Sequence, residues 1–364
     1  MTEGKFGTQE AVWLTVCTIV AKVFFTSPSL VTSILGTSGW YMTLISAAVA
    51  AGGFWLTVKL LNRFPNMSLS EVYMRSLGRV AGFAFSLILG IYLLFVASLN
   101  IGEFQEVLRV YVFPNTPNGV IILIFAGSVL LMSLLGLESI ARISKIIAFF
   151  TVAGFLAVLI LSVENYEVSN LFPILGYGLD KTIINGVLRC SVYGDVIILA
   201  IFAKSLQGIQ YVKRAGFIAL LLSALLIFLC LLAFALCFPY YVSKEITSAM
   251  YEIATIIDYG RFVQRIEPVF LFIWVTTSML ASTTLFYSFV RLYCDAFRIY
   301  DWKPIAVAGS VILFALSLMH RDISEIAFAG VQLTRMIGII PMFIMPVIAL
   351  FIAVIRKKGG NEVA

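Results

Sequence analysis

Apolar positions along this chain gather into long runs, and short polar stretches separate them. Runs of about 18 residues or more recur from one end to the other, and a helix of that length crosses ~30 Å of hydrocarbon. Ten spans are predicted, at about 10–35, 39–61, 81–112, 119–137, 143–163, 182–204, 215–240, 267–294, 304–319 and 331–355. The ten-residue alternating segments of an outer-membrane barrel are absent from the sequence. Two polar stretches carry a pattern of their own. Residues 63–80, with Ser68 three positions before Glu71, predict a capped amphipathic helix on the membrane surface. Residues 241–266, the longest outer loop, carry charges of both signs and alternating apolar positions, Ile253, Ile256 and Ile257, and are expected to cap an outer vestibule or face another protein.

The first run departs from a plain anchor. It contains Lys22, Thr26, Ser27 and Pro28. A charge near mid-bilayer costs at least ~2.5 kcal/mol, and proline has no N–H to give a helix. A break is therefore expected between Phe25 and Pro28, forming a ligand site near the midplane. Span six carries a second interruption, Arg189 to Asp195, with Ser191, Tyr193 and Gly194. The ten spans divide into two sets of five, 10–163 and 182–355, and an odd number per half inverts the second set. Paired interruptions at matching positions point to the binding site of an inverted-repeat transporter. The expectation is one all-α membrane domain over residues 1–364, with helices 1 and 6 broken.

A break offers chemistry to both ends of a zwitterion. Carbonyls near Val23 and Phe24 are placed to accept an ammonium, and the N–H groups of residues 27–30, with the Thr26 and Ser27 hydroxyls, to hold a carboxylate. The alternative is a proline kink satisfied by neighbouring helices. In span six, Tyr193 is expected to close over the ligand beside Gly194, the alternative being a weakened but continuous helix. Lys22 has four readings: pairing with Asp195 or Glu103, standing where a transporter binds Na⁺, carrying a proton, or snorkelling to an interface. Asn100, Glu103, Glu106 and Arg109 share one helical face, either a conduit or the solvated end of an over-long helix. Span eight opens at Glu267 and offers Trp274, Thr276, Thr277 and Ser278, whose hydroxyls equally suit helix packing. Arg335 is expected to pair with an outer acid such as Glu325, and the single histidine, His320, is assigned no role.

Composition narrows the class. The 364 residues are 61% hydrophobic and 12% charged, against about 45–50% and about 25% for soluble domains. The net charge of +6 does not point to nucleic acid, because the basic residues sort by membrane side. Of the 25 Lys and Arg, 16 lie in one set of loops and ends and 6 in the other, which predicts cytoplasmic termini. Lys22 in the middle of the first run argues against a cleaved signal peptide. The five cysteines show no CxxC spacing and read as packing residues. No Walker, zinc or GxSxG motif occurs, so no enzyme activity, cofactor or metal is expected.

Several strings carry a resemblance. FPNTP (Phe113–Pro117), GLESIAR (Gly136–Arg142), NLFPILGYG (Asn170–Gly178) and RIEPVFLFIW (Arg265–Trp274), with RFPNMSLSEVYMRSLGRVAG earlier, span nearly the whole chain. In this order and spacing they resemble the spore germination permease family, the B subunits of GerA-type nutrient germinant receptors. The resemblance implies the LeuT-like fold of the amino acid, polyamine and organocation transporters, with ten helices in a five-plus-five inverted repeat. It implies partners as well, an A subunit and a lipoprotein C subunit in the spore inner membrane, and an amino acid or similar small nutrient that triggers germination. Carried over, the ligand region maps to Phe24, Phe25, Thr26, Ser27, Pro28 and Ser29, to Tyr193 and Gly194, and to facing residues Asn100, Trp274 and Thr277. Lys22, Glu103, Asp195 and Glu267 are the coupling candidates. Amino acid permeases of this superfamily have a GxG at the first break, whereas this chain has VFFTSP, which narrows the expected pocket to a small ligand. A germinant receptor subunit is the first reading. A proton-coupled amino acid permease and a water or ion conduit are the alternatives.

Overall fold

The computed structural model describes residues 6–23, 26–260, 266–320 and 330–358. It is built of helices. Helix α1 (Thr8–Ala21) ends in a turn at Lys22 and Val23, and α2 (Thr26–Leu35) resumes beyond the interruption. Pro28 is the third residue of α2, within the first turn, where a missing N–H leaves no internal hydrogen bond unmade. The proline therefore starts the second helix instead of kinking one. Phe24 and Phe25 lie outside the described residues.

After a turn at Gly36, which takes φ +66°, α3 (Gly39–Arg63) leads to the short helix α4 (Leu69–Leu77). The expected capping box is formed: Ser68 N–H donates to Glu71 Oε2 at 3.0 Å, and Glu71 N–H to Ser68 Oγ at 3.5 Å. Then come α5 (Arg79–Tyr111), α6 (Asn118–Leu134) and α7 (Leu137–Leu161). At 33 residues α5 is ~50 Å long. Gly82 lets α5 lie against α4, since a Cβ there would come within 2.4 Å of Met74 Cα.

Helix α8 (Leu179–Leu188) continues not as an α-helix but as a 3₁₀ segment, Cys190–Ile197, before α9 (Ile198–Ile201). The second interruption is thus neither an unwound break nor a regular helix. Helix α10 (Ile209–Cys237) precedes two short helices, α11 (Tyr240–Ser243) and α12 (Ala249–Thr255), in the long loop. They fold back onto the bundle. Ile253 and Ile257 are buried, Ser29 Oγ donates to the Ile246 carbonyl, and Tyr111 OH donates to Glu252 Oε1 at 3.0 Å. The chain closes with α13 (Glu267–Phe297), α14 (Lys303–Leu318), α15 (Gln332–Ile337), a π-helical segment at Ile340–Ile344, and α16 (Met345–Ile355).

Among the described residues seven helical stretches, taking Ser27–Arg63, Leu179–Ile201 and Gln332–Ile355 as continuous, have the length and hydropathy to cross a membrane. Three further apolar helices, α1, α6 and α14, are shorter. Helix α1 is buried on all sides from Leu14 to Val23, packed among α7, α10, α13 and the 3₁₀ segment. A helix apolar all round and enclosed by others is the core of a membrane bundle. The outer belt bears Leu123, Phe149, Leu221, Phe272 and Phe351, all exposed. Such a surface suits lipid.

Candidate functional site

The interrupted helices meet. Lys22, in the turn that ends α1, pairs through Nζ with Asp195 Oδ2 of the 3₁₀ segment, and both side chains are buried, at 5% and 0% exposure. Snorkelling is overturned, and Asp195 rather than Glu103 is the partner. The pair fixes the break, because either charge alone would be stranded in a low-dielectric interior.

The carbonyl of Lys22 accepts two hydrogen bonds, from Ser27 Oγ at 3.0 Å and from Arg335 Nη2 at 3.2 Å. The Lys22 carbonyl, one residue before the Val23 and Phe24 carbonyls expected to face a ligand ammonium, is therefore already served by the chain's own guanidinium. Arg335 also ties in the second interruption, since its carbonyl accepts from Ser191 Oγ. Glu325, its expected partner, lies outside the described residues. Tyr193 does not hang free as a lid: its hydroxyl is hydrogen-bonded to Thr43 Oγ1 of α3 and its side chain is fully buried. Gly194 is where the π segment comes closest, and a Cβ there would lie 2.0 Å from Met342 Sδ.

Between these elements is a small cavity of about 30 Å³, whose polar lining comes from Ser27, Thr43, Ser46, Arg189, Tyr193 and Arg335. That is room for one or two waters. A volume of this size does not hold an amino acid.

Other predicted site residues lie elsewhere. Asn100 Nδ2 donates to the Ser278 carbonyl at 3.3 Å and to Ser282 Oγ at 2.7 Å, joining α5 to α13. Thr277 bonds Thr151 across the α7–α13 contact at 2.6 Å, and Trp274 stacks on Phe270. None of the three lines the cavity. Glu103 and Glu106 are buried, and Glu106 is held by Arg109 at 2.6 Å, so this face is not the solvated end of a long helix. Glu267 begins α13 and is buried there. Two features were missed by sequence reasoning. Arg189 and Arg335 converge on one cavity, for which the only signal was that both are cations inside apolar runs. The π segment leaves its trace in Pro341 and Pro346, five residues apart in span ten.

A family model described as spore germination protein matches residues 5–326. Spore germination protein YndE of Bacillus subtilis (strain 168) is 23% identical over 366 residues, covering 98% of each chain. Among solved structures, a substrate-bound, outward-open Na⁺-coupled sialic acid symporter matches with a TM-score of 0.67 and 12% identity, over 96% of this chain and 79% of that one. Mhp1, a nucleobase-cation-symport-1 family transporter in a closed conformation, matches with a TM-score of 0.63 and 11% identity, over 97% and 94%. At these identities the structural likeness speaks for the fold, which is that of LeuT-like transporters.

Proposed function

Because the chain belongs to the spore germination permease family, we propose that it is the membrane subunit of a nutrient germinant receptor. On this reading it binds a small germinant, an amino acid or a nutrient of similar size, where the α1–α2 turn meets the 3₁₀ segment. It then passes a conformational change to an A subunit and a lipoprotein C subunit. It sits in the spore inner membrane with both termini cytoplasmic, as one transmembrane unit of two repeats, 10–163 and 182–355. On this reading Phe24, Phe25, Thr26, Ser27 and Pro28 of the first interruption and Tyr193 and Gly194 of the second are the ligand-binding residues, and Asn100, Trp274 and Thr277 serve helix packing.

The observation that carries this reading is the convergence of three irregular helices on one buried ion pair beside a small cavity. Local 3₁₀ and π geometry marks hinges, and a receptor needs an element with two arrangements. A second reading, a proton-coupled amino acid permease, is favoured by the same Lys22–Asp195 pair in a symporter-like fold.

The test is to express the chain with its partner subunits in Bacillus subtilis spores lacking their own receptors, and to follow loss of optical density against a panel of amino acids, sugars and nucleosides. One or a few small nutrients should trigger germination. Val31→Phe, which fills the cavity, should abolish the response at unchanged protein level. No response to any nutrient would sink the receptor reading, and uptake of the triggering nutrient into proteoliposomes, driven by a pH gradient, would favour the permease.

A further inference from the structure

The electrostatics around the cavity do not balance. Arg189 and Arg335 both line it and are only 4% and 7% exposed. Arg335 gives one N–H to the Lys22 carbonyl. Arg189 has no hydrogen-bonded or ion-paired side-chain partner among the described residues. The described acid beside this cluster is Asp195, whose Oδ2 faces Lys22, while the charge beside Arg189 is the like charge of Arg335. Lys22, Arg189 and Arg335 thus gather at one buried place with the single described carboxylate of Asp195, and an unpaired buried charge there is strongly unfavourable. The N-terminus of α2, at Ser27, adds positive potential on the same side. The Lys22 carbonyl is already occupied by Ser27 and Arg335, and the cations at the cavity outnumber the described carboxylates beside it, so what the cavity lacks is negative charge. Its volume of about 30 Å³ suits a monatomic ion or the two-oxygen head of a carboxylate.

We infer that this cavity is an anion site, in which Arg189 and Arg335 hold one small anion between the two interrupted helices. The anion is a free halide or the carboxylate end of the germinant. Only the second source rests on the receptor reading. Bound there, the anion joins α8 to α15 and closes the gap that Asp195 leaves, so its arrival or departure shifts the balance between arrangements of the interruptions.

The experiment is a thermal melt of the purified full-length chain in nanodiscs, with sodium chloride or sodium acetate replacing the bulky sulfonate MES at constant ionic strength and pH. A saturable rise in melting temperature is expected. Arg189→Gln and Arg335→Gln should each weaken the half-saturating concentration at least tenfold, and Arg189→Lys should restore part of it. A rise with chloride that acetate does not produce identifies a halide site, and acetate displacing chloride identifies a carboxylate site. No saturable effect in the wild-type chain, or an effect unchanged in both arginine variants, overturns the inference. So does an effect that emerges only after Glu325→Gln, because Arg335 would then be neutralised by the chain itself. If no small anion acts while nutrient-triggered germination persists, the anion site fails and the receptor reading stands. Anion binding without germination by any nutrient gives the reverse.

Discussion

The two helix interruptions are resolved in opposite ways. At the first, the helix ends at Ala21 and a new one begins at Thr26, with Pro28 inside its first turn. The freed carbonyl of Lys22 is met by Ser27 and Arg335. At the second, the backbone winds tighter, running as 3₁₀ helix for eight residues, Cys190–Ile197, well beyond the three or four usual for this geometry. It is pinned by side chains on both flanks, Tyr193 to Thr43 and Ser191 to Arg335. An opened helix exposes polar backbone groups that something must satisfy. A tightened helix keeps its groups paired in poorer geometry and holds a hinge. The first interruption is thus suited to contact a solute and the second to move.

The largest test of this contrast is Lys22→Met. It strands Asp195 in the core and should cost ~3–5 kcal/mol, seen as a collapse in folded yield after detergent extraction. Lys22→Met combined with Asp195→Leu should recover most of the loss. Wild-type behaviour of the single variant would show that the pair does not hold the first break together. Gly194→Ala probes the second interruption. Its Cβ would meet Met342 Sδ at 2.0 Å, and overpacking of this kind costs ~1–3 kcal/mol. The melting temperature should fall and be partly restored by Met342→Ala, and no fall would mean that the 3₁₀ segment is already loose against the π segment. The smallest effect is expected at Thr277→Val, remote from both interruptions, which removes the Thr151 hydroxyl contact for ~0.6 kcal/mol. A changed nutrient response in this variant would place α13 along the ligand's path after all.

Much of the architecture could be read from local pattern. Apolar runs announce membrane helices because hydrocarbon leaves the backbone no other way to pair, and Ser68 with Glu71 announces the start of α4. Lys22 could be recognised as anomalous from its cost alone, and its partner narrowed to Asp195 or Glu103. Facing directions were less legible. In α5 and α13 nearly every position is apolar or small, so helical periodicity does not say which side Asn100, Trp274 or Thr277 presents. Glu103 and Glu106 read as a wet face because two carboxylates in a row suit water, and only the packing of neighbouring helices shows them covered. The approach of Arg189 to Arg335 is set by tertiary structure between residues far apart in sequence, and neither local pattern contains it.

Along one seam the molecule is stitched. Ser38 Oγ bonds Thr182 Oγ1 at 2.9 Å, Ser46 Oγ donates to the Gly186 carbonyl at 2.7 Å, Tyr177 N–H donates to the Leu35 carbonyl at 3.1 Å, and Thr43 meets Tyr193. Parting the stretch from Leu35 to Ser46 from the stretch from Tyr177 to Tyr193 would strand each of these groups. That edge of the cavity is the costliest to open, so a doorway for a solute is expected along another.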